Sequence, residues 1–532
     1  MIKLGNDILT MYSGPRSRPR NWRMAAVIAL VLGAFVFMGA WTVRLGVIGG
    51  RAQSRAPRPN SAAPTRADII DRNGEILAKN VYSYSLRLDA RKVANPDAAA
   101  AFIRQIVPEI SVSDALAKIQ SKRGDIELKR KIDKETALRV ISAKIPGIVV
   151  LQTQTREYPK RNSTAHIVGY IDSVGNGIGV EKAADARLSS NAEPLQISLD
   201  ARIQSVLWSE LAAAMNEYKA AAAMGIIMNS QTGEIVAAAS LPDFDPNPED
   251  RGRYNQAGWR FRILRDTYEL GSIFKIFNTA LALRSGMSVK KTFNVARPFF
   301  VGGKKINEAP GFNPTPANMN VAQIMQNSCN SGSAQIALEL PDGAQIDFFK
   351  ELGFGERIVA DFGETGRTSL PSSRTQIDRA RWAFGHGIST TPLHAFLAAN
   401  AVVNGGRYVP PTIYKRSYIP QTRRVVPADV SKQIRMIMYK TNETTGRQAA
   451  NQIKDVYIGG KTSTAEKWIG DKYSAEKNIT AYFVAFPIDA PKWSMLIIFD
   501  EPKGHQKTAA HNAVPTAGRI LDAIIPWLQT MQ

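Results

Sequence analysis

Ser272 and Lys275 have the residue types and the spacing of a nucleophile and its base. Both lie in the largely apolar run 268–277. A serine hydroxyl is a weak nucleophile near neutral pH unless a neighbouring base accepts its proton. In a helix, residues i and i+3 share one face, so the Lys275 amine would lie beside the Ser272 hydroxyl. Taken alone the pattern is weak, because a long chain contains several such pairs by chance, most of them exposed.

Two further motifs downstream strengthen this interpretation. The first is Ser328-Cys-Asn330, and the second is Lys461-Thr-Ser463 within the run 458–466. The order S-x-x-K, S-x-N, K-[ST]-G is the signature of penicillin-binding proteins and serine β-lactamases. Ser463 departs from the signature, since glycine is expected there. Together the three motifs indicate acyl transfer through a serine.

Patterns around the motifs predict the elements that would position them. Residues 225–228 and 234–240 are apolar stretches joined by a polar turn, which is typical of a β-hairpin. Residues 479–487 and 493–499 predict two more strands, and the third motif lies in a fifth candidate strand near residue 460. Asp200 has the position of an N-cap before a helix with one apolar face.

Residues 66–194 have an α+β pattern of their own. Asn73-Gly74 predicts a tight hairpin turn between apolar segments. Residues 82–88 alternate as a strand does, and residues 97–107 have helical periodicity. We therefore predict a separate domain ahead of the one that carries the motifs.

A possible membrane anchor precedes both domains. Residues 24–43 are uncharged and mostly apolar, between Arg23 and Arg44. About 20 such residues span ~30 Å as a helix, which matches a bilayer core. We predict a retained transmembrane helix rather than a cleaved signal peptide, because no clear cleavage site follows. The flanking arginines nearly balance, so the charge rule favours a cytoplasmic N-terminus only weakly. Residues 44–65 are typical of a linker.

The composition argues against several other classes of protein. The chain has 532 residues and a formal net charge of +22, and residues 1–66 hold ten Lys/Arg against one acid. No helix-turn-helix, zinc-finger or RNP motif accompanies this charge, so nucleic acid is not a predicted partner. Anionic lipid and an acidic cell-wall polymer fit better. The histidines and the single cysteine lack metal-ligand spacing and no P-loop is present, so no metal or cofactor is predicted.

With these residues in view, the chain resembles a class B penicillin-binding protein, a peptidoglycan D,D-transpeptidase, over nearly its whole length. Two segments, Ala465-Glu-Lys467 and Phe499-Asp-Glu-Pro-Lys503, resemble the division-specific, FtsI-type branch. The non-catalytic boxes of the class are matched by Arg66…Asp71-Arg-Asn-Gly74, Arg156-x-Tyr158-Pro159, Gly177-x-Gly179-x-Glu181, Leu199-Asp-Ala-Arg-Ile-Gln204 and Gly385-His-Gly387…Thr391-Pro392.

The resemblance implies an α+β fold and a domain order. The domain with the motifs would have a penicillin-binding/serine β-lactamase-like fold, a five-stranded antiparallel sheet with helices plus an all-helical lobe. Ser272 would start a buried helix, facing an edge strand that carries Lys461. The implied segments are a cytoplasmic tail (1–23), a transmembrane helix (24–43), a linker (44–65), an elongated pedestal domain of the class B dimerisation type (66–194) and a transpeptidase domain (195–532).

The resemblance also implies catalytic roles for four residues. Ser272 would attack the penultimate D-Ala carbonyl of a stem peptide and expel the terminal D-Ala, leaving an acyl-enzyme. Lys275 would be the base, and Ser328 would relay a proton to the departing amine. Asn330 would orient Lys275 and hold the substrate amide. β-Lactams would acylate Ser272 by mimicking the substrate.

Four residues of the edge strand would bind substrate. Lys461 and Thr462 would hold its carboxylate, and the Thr464 N–H would complete an oxyanion hole with the Ser272 N–H. Ser463 adds a hydroxymethyl group where glycine would let the substrate backbone approach closely. If the strand alternates regularly, the side chains of Lys461 and Ser463 lie on one face and that of Thr462 lies on the other. In the family, however, the side chains of both Lys461 and Thr462 face the cleft. We therefore expect a local twist, leave the direction of Ser463 open, and predict an active enzyme with altered β-lactam preference.

The predicted function is stem-peptide crosslinking, in septal cell-wall synthesis during cell division. The alternatives are an elongation-type transpeptidase, a soluble β-lactamase, and a membrane-anchored divisome scaffold that has lost activity, for which Ser463 is an argument. The anchor and the extra domain argue against a β-lactamase. By resemblance, the protein crosses the inner membrane once with its catalytic domain in the periplasm. Its partners would be a SEDS-type glycosyltransferase and divisome membrane proteins.

Overall fold

The computed structural model describes residues 30–38 and 66–531, except for short internal gaps. The gaps are at 173–174, 191–192, 248–256, 296–297, 310–311, 369, 372–374, 444–452, 454–455, 471 and 505–506. The chain divides into two compact units, residues 1–63 and residues 64–532. The domain boundaries drawn from the sequence within the second unit remain predictions.

In the first unit, residues 30–38 form a helix. Its large apolar side chains are exposed; for example, the relative exposure is 76% for Leu30 and 57% for Met38. The rest of the predicted span 24–43 lies outside the described residues. Among the helices that the structure describes, none has the length and apolar character needed to cross a bilayer.

The pedestal is built on a five-stranded sheet. Its long central strand, Ile76–Leu88, pairs antiparallel with Ile126–Ile132 and with Ile148–Glu157. The short strand Ile69–Ile70 turns back on the central strand through the predicted Asn73-Gly74 turn and pairs in parallel with Leu195–Gln196. The hairpin prediction is therefore confirmed.

Helices cover the pedestal sheet and enclose a small core of Leu86, Leu88, Ile103, Ile119 and Val140. The helix predicted at 97–107 spans Pro96–Ile106 and is capped by the Asn95 side chain. The other helical segments, including short 3-10 turns, are Ala90–Lys92, Val112–Gln120, Lys134–Ala143, Arg161–Thr164, Ala165–Val168, Gly179–Ala183 and Asp185–Ser190, and a two-stranded ribbon joins Tyr170–Ile171 to Gly177–Ile178.

A group of ions centred on the buried Glu181, the pedestal charge cluster, ties the start of the pedestal to its last helices. It consists of Arg66, Arg156, Glu181 and Asp185. Glu181 is fully buried, and its two carboxylate oxygens lie 2.7 Å from Arg66 Nε and 2.7 Å from Arg156 Nε. Arg66 also reaches Asp185 at 2.6 Å. Burial by itself lowers the pKa of Arg66, but Glu181 and Asp185 more than offset it and the net shift is upward.

Asp71 joins the pedestal to the part of the chain that carries the three motifs, through hydrogen bonds and without an ion pair in the described residues. Its carboxylate accepts the N–H groups of Asn73 at 2.7 Å, Glu75 at 2.9 Å and Ala201 at 2.9 Å. Ala201 is the first residue of the helix Ala201–Glu217, whose N-cap is Asp200 as predicted. The carboxylate thus fixes the hairpin turn and the start of that helix to each other.

Residues 222–500 carry the predicted five-stranded antiparallel sheet. The strand order is Gly459–Ile469, Lys472–Phe486, Trp493–Asp500, Ala222–Asn229 and Ile235–Leu241. All four pairings are antiparallel. Gly459–Ile469, here called the edge strand, therefore has one free side. It forms a long hairpin with Lys472–Phe486, which the sequence pattern did not predict in full.

Both faces of this sheet are covered. Alternate residues divide between two cores, as the pleat requires: Ile227 packs with Leu207 and Ile520 on one face, and Ile226 packs with Phe274 and Phe396 on the other. The first face is covered by Ala201–Glu217 and Ala513–Thr530.

The second face carries the helical lobe. Phe274–Arg284, here called the nucleophile helix, lies at its centre, with every residue from Phe274 to Leu283 buried. The remaining helices are Arg262–Arg265, Val321–Gln326, Asn330–Glu339, Ala344–Glu351, Gln376–Trp382, Pro392–Val403 and Ala428–Asn442, and the small strands are Thr292–Asn294, Phe299–Val301, Lys304–Ile306, Asn318–Asn320, Val359–Ala360 and Gly363–Glu364.

Candidate active site

Ser272 lies in a 3-10 turn, Gly271–Ile273, that leads directly into the nucleophile helix. Its side chain is partly accessible, whereas Gly271 and Ile273 on either side are buried. The first turn of the helix is held by aromatic packing, in which Phe274 stacks on Phe354 with ring centroids 5.4 Å apart. The predicted placement of Ser272 at the start of a buried helix is confirmed.

Lys275 lies one turn further along, with its amine beside the Ser272 hydroxyl. Its Nζ atom is 3.2 Å from Ser272 Oγ, 3.1 Å from Ser328 Oγ and 2.7 Å from Asn330 Oδ1. It also contacts the Ser328 carbonyl oxygen. Lys275 is only 1% exposed. The first two motifs of the sequence therefore meet at this one nitrogen.

The surroundings of Lys275 favour its neutral form. Burial lowers its pKa to about 8, although the nearby Glu308 and Cys329 act in the opposite direction. A primary amine in water titrates near 10.4. A much larger fraction of Lys275 is therefore available near neutral pH to accept a proton.

Ser328 connects the lysines of the first and third motifs. Its hydroxyl donates to Ser272 Oγ at 3.1 Å and lies 3.0 Å from Lys461 Nζ. Its backbone has φ +57°, a left-handed conformation that costs a non-glycine residue roughly 1–2 kcal/mol. The strain turns the hydroxyl and the carbonyl oxygen of one residue toward the same lysine, Lys275.

Asn330 begins the helix Asn330–Glu339, whose N-terminus is held by Glu308. The Glu308 carboxylate accepts the N–H of Asn330 at 2.7 Å and that of Ser331 at 2.9 Å, and Cys329 Sγ lies 3.3 Å away. These backbone hydrogen bonds and Lys275 keep the pKa of Glu308 low despite its burial. Glu308 was not predicted from the sequence, because no motif surrounds it and its partners lie 22 and 23 residues further along the chain.

Lys461 extends from the edge strand into the same cluster. It is 1% exposed, and its Nζ donates to Ser328 Oγ and to the Thr462 carbonyl oxygen at 3.1 Å. Burial lowers its pKa well below the usual value, and the charge of Lys275 lowers it further. Ser272, Lys275, Ser328, Asn330 and Lys461 form what we call the reaction cluster.

Ser463 points into the cleft on the same side as Lys461. The edge strand pairs with its neighbour in continuous register from Gly459 to Glu466, and the first irregularity follows Glu466. The expectation of a local twist near Thr462 is therefore wrong, because the pairing of the edge strand with Lys472–Phe486 is regular there. Lys461 and Ser463 are buried, whereas Thr462 is partly and Thr464 largely exposed, as alternation along a regular strand requires.

Thr462 and Thr464 accordingly present their side chains elsewhere. The Thr464 hydroxyl accepts the Ala509 N–H at 3.1 Å. Thr462 contributes its carbonyl oxygen to Lys461, as described above. The structure brings Ser272, Lys275, Ser328, Asn330, Lys461 and Ser463 together, while the roles given to Thr462 and Thr464 remain predictions.

The edge strand and the nucleophile turn approach each other at Gly271. Gly271 has φ +51°, and a Cβ there would lie 2.6 Å from Ser463 Oγ and 2.9 Å from Ala465 Cβ. On the other side, a Cβ at Gly385 would lie 2.3 Å from the Gly271 carbonyl oxygen. Glycine is therefore required at both positions for this close approach.

An aromatic wall borders the cleft beside the nucleophile turn. The Tyr473 hydroxyl donates to Glu269 at 3.0 Å, and its ring contacts both Trp468 and His386 edge-on. Burial raises the pKa of Glu269. Sequence analysis did not identify this wall, since its members come from three separate segments.

The arrangement can move a proton and form an ester. Ser272 Oγ, Lys275 Nζ, Ser328 Oγ and Lys461 Nζ form a chain of contacts between 3.0 and 3.2 Å. No group of three or more His, Cys, Asp or Glu suited to a metal ion occurs among the residues that the structure describes. The cluster is therefore suited to nucleophilic acyl transfer.

Two family models match the chain. The penicillin-binding protein transpeptidase domain matches residues 223–522, which is more than half of the sequence. The penicillin-binding protein dimerisation domain matches residues 61–198. The two matches correspond to the transpeptidase part and to the pedestal.

Several known proteins resemble the chain over most of its length. A probable peptidoglycan D,D-transpeptidase FtsI of Caulobacter vibrioides is 31% identical over 538 residues, covering 94% of this chain and 88% of that protein. Stage V sporulation protein D of Bacillus subtilis is 28% identical and covers 95% of this chain and 86% of that protein. The peptidoglycan D,D-transpeptidase FtsI of Escherichia coli K12 is 24% identical, with coverage of 95% and 92%.

Proposed function

The chain belongs to the class B penicillin-binding proteins, a family of serine-type peptidoglycan D,D-transpeptidases, and on that premise we propose that it crosslinks stem peptides through an acyl-enzyme on Ser272. The observation that carries the proposal is the contact of Lys275 Nζ with Ser272 Oγ at 3.2 Å, in a site where burial lowers the lysine pKa to about 8. A buried amine so placed is a suitable base for a serine hydroxyl.

The first half of the reaction forms the ester. Neutral Lys275 accepts the Ser272 proton as Ser272 Oγ bonds to the penultimate D-Ala carbonyl carbon, and the carbonyl oxygen becomes an oxyanion. The carbon–nitrogen bond to the terminal D-Ala then breaks. Its nitrogen receives the proton from Lys275 through the Ser328 hydroxyl, so that free D-Ala leaves and the acyl group stays on Ser272.

The second half reverses these steps with a different amine. An amine of a neighbouring stem peptide attacks the ester carbonyl and gives its proton to Lys275. The Ser272 Oγ–carbon bond breaks, and Ser272 recovers its proton. Asn330, 2.7 Å from Lys275 Nζ, keeps the lysine directed at the serine throughout.

Substrate recognition is proposed for the edge strand. Lys461, with its amine 3.0 Å from Ser328 Oγ, would donate a hydrogen bond to the terminal carboxylate of the stem peptide. The Thr464 N–H would share the oxyanion with the Ser272 N–H. Thr462 would add a hydrogen-bond donor only after its side chain turns toward the cleft, because it lies on the other face of the strand. β-Lactams would enter the same site.

Covalent labelling with a fluorescent penicillin tests the nucleophile. The purified full-length chain should form a stable one-to-one adduct, and Ser272→Ala should abolish it. Ser285→Ala is the matched control, because Ser285 lies exposed at the other end of the nucleophile helix. Equal labelling of the Ser272→Ala variant would remove Ser272 from the mechanism.

The same assay separates the alternative activities. Rapid release of hydrolysed penicillin would identify a β-lactamase. The absence of an adduct in a folded wild type would favour a scaffold without activity. The serine at position 463, where the family has glycine, is the argument for that alternative. A stable adduct that blocks crosslinking of a synthetic stem peptide supports the transpeptidase.

We propose the septum as the place of action. Support comes from the relatives named FtsI and from the two segments that resemble the division-specific branch, Ala465-Glu-Lys467 and Phe499-Asp-Glu-Pro-Lys503. Depletion should then give filaments that lack septa. Round cells that still divide would indicate elongation instead.

We further propose a single membrane span at 24–43 with the catalytic part in the periplasm. The uncharged sequence of the segment and the exposed apolar side chains of residues 30–38 support this. Reporter fusions after residue 50 should be active in the periplasm, and activity only in the cytoplasm would overturn the topology. A SEDS-type glycosyltransferase and divisome membrane proteins are the proposed partners, to be sought by crosslinking in intact cells.

A further inference from the structure

Ser463 places its hydroxyl oxygen on the backbone N–H of the nucleophile. The Ser272 N–H donates to Ser463 Oγ at 2.8 Å. Ser463 is 3% exposed, so water does not readily replace this contact. The continuous register of the edge strand around residue 463 directs the side chain toward the nucleophile turn.

The Ser272 N–H is a group that acyl transfer needs for another purpose. When Ser272 Oγ bonds to a carbonyl carbon, the oxygen of that carbonyl becomes negative next to the Ser272 backbone. Donors that stabilise such an oxyanion lie about 2.7–3.1 Å from it. An oxygen already 2.8 Å from the N–H stands where the oxyanion would stand.

The hydroxyl fits there because Gly271 has no side chain. The Ser463 Oγ atom is the nearest atom to the position of a Gly271 Cβ, at 2.6 Å. A ligand carbonyl oxygen cannot share this small space with the Ser463 hydroxyl. The hydroxyl has to rotate about χ1 to another staggered position before the N–H becomes available.

We propose that the Ser463 hydroxyl is an internal competitor for the oxyanion-binding N–H of Ser272, and that its rotation is a step in every acylation. This inference rests on the proposed role of Ser272 as the nucleophile. It makes Ser463 a residue that sets the acylation rate and the discrimination between ligands. Ligands with bulk beside the reacting carbonyl would be disfavoured most, since the rotated hydroxyl must share the cleft with them.

Acylation rates of three proteins test the proposal: the wild type, Ser463→Ala and Ser463→Gly, each as the full-length chain with fluorescent penicillin. Removing a competing neutral hydrogen bond should raise the second-order acylation constant about fivefold. Ser463→Ala and Ser463→Gly should gain by similar factors, because both lack the hydroxyl. Ser285→Ala serves as the unaffected control, and thermal melting shows whether each variant is folded.

A second measurement reports on the oxyanion position itself. A boronic acid adds reversibly to a serine hydroxyl and presents an oxygen where the oxyanion would form. Its affinity should increase in Ser463→Ala by about the same factor as the acylation constant. If the substitution altered only the packing around residue 463, the affinity for the boronic acid would not increase in step with the acylation constant.

Each contrary result has a definite meaning. Slower acylation by both variants would show that the hydroxyl assists the oxyanion and would overturn the proposal. A gain in Ser463→Gly without one in Ser463→Ala would assign the effect to the Cβ and not to the hydroxyl, which would overturn the proposal. Unchanged acylation rates in both variants would overturn it as well. Labelling that persists in Ser272→Ala would instead refute the proposed nucleophile, whatever the behaviour of Ser463.

Discussion

The pedestal charge cluster and the reaction cluster both hold cationic side chains that are largely or fully buried. In the pedestal, two arginines share the two oxygens of one buried carboxylate, Glu181, at 2.7 Å each. In the reaction cluster, Lys275 and Lys461 meet mainly hydroxyl and carbonyl oxygens, and their pKa values are lowered. The first arrangement supplies a counter-charge to its cations, whereas burial in the second favours loss of a proton from its lysines.

The difference follows from how the desolvation of each cation is offset. A buried ion is stable when a partner of opposite charge and further hydrogen bonds replace its water. Glu181 provides this for the arginines. Around Lys275 the nearby carboxylate, Glu308, is occupied with the N–H groups of Asn330 and Ser331. Incomplete compensation of this kind is typical of functional groups.

The largest expected effect that separates the clusters is the loss of Lys275. Lys275→Met removes the base while keeping the length of the side chain, so acylation of Ser272 should fall by roughly 10²–10⁴-fold. The free energy of unfolding should change little, because a poorly compensated buried charge contributes little stability. Penicillin labelling and urea unfolding measure the two quantities. A strongly destabilised variant would show that Lys275 is structural like the arginines.

Glu181→Gln should have the opposite profile. It leaves Arg66 and Arg156 without their shared counter-charge and should cost ~3–5 kcal/mol in the free energy of unfolding. Acylation per folded molecule should stay near that of the wild type. Asp125→Asn is the matched control, since Asp125 also pairs with an arginine but its side chain is 70% exposed, and it should cost under ~1 kcal/mol. Equal losses in both variants would contradict the assigned role of Glu181.

The pH dependence of acylation should report the reaction cluster. The reactive form of Lys275 is neutral, and this form predominates above its pKa of about 8. The acylation constant should therefore rise about tenfold per pH unit below that value and level off above it. A rate that is flat between pH 6 and 9 would exclude Lys275 as the base. The measurement is the second-order labelling constant at fixed ionic strength.

The smallest expected effect concerns Glu308. Its charge raises the pKa of Lys275, so Glu308→Gln should lower that pKa and move the rising part of the pH profile to lower pH. The plateau should also fall a few-fold, because Asn330 loses part of its cap. Glu339→Gln is the control, as Glu339 lies at the other end of the same helix, where it pairs with Lys291. A shift to higher pH would contradict the proposed influence of Glu308.

Local sequence was sufficient for features whose causes are local. The i, i+3 spacing of Ser272 and Lys275 predicted a shared helix face, and their atoms lie 3.2 Å apart. The N-cap at Asp200 and the hairpin at residues 73–74 were also correct, because capping and turn chemistry act over a few residues. Four of the five strands near the motifs followed from apolar runs and turns, and the strand near residue 460 was expected from the resemblance.

Other features depended on contacts between distant segments. Motif order indicated which residues act together, but it did not reveal that Glu308 caps the helix of Asn330 or that Tyr473 joins Glu269 at the rim of the cleft. The lowered pKa values of Lys275 and Lys461 come chiefly from burial between segments that are distant in sequence. No short window of sequence contains that burial.

Ser463 marks the division between the two kinds of information. The sequence by itself determined that a serine stands where the family has glycine, and that its side chain must lie on one of two faces of the edge strand. The unbroken pairing from Gly459 to Glu466 selected the face, and the side-chain-free Gly271 opposite created the space for the hydroxyl. Strand register and the approach of two backbones are set by the packing of the entire domain, so only the tertiary structure decided that Ser463 meets the Ser272 N–H.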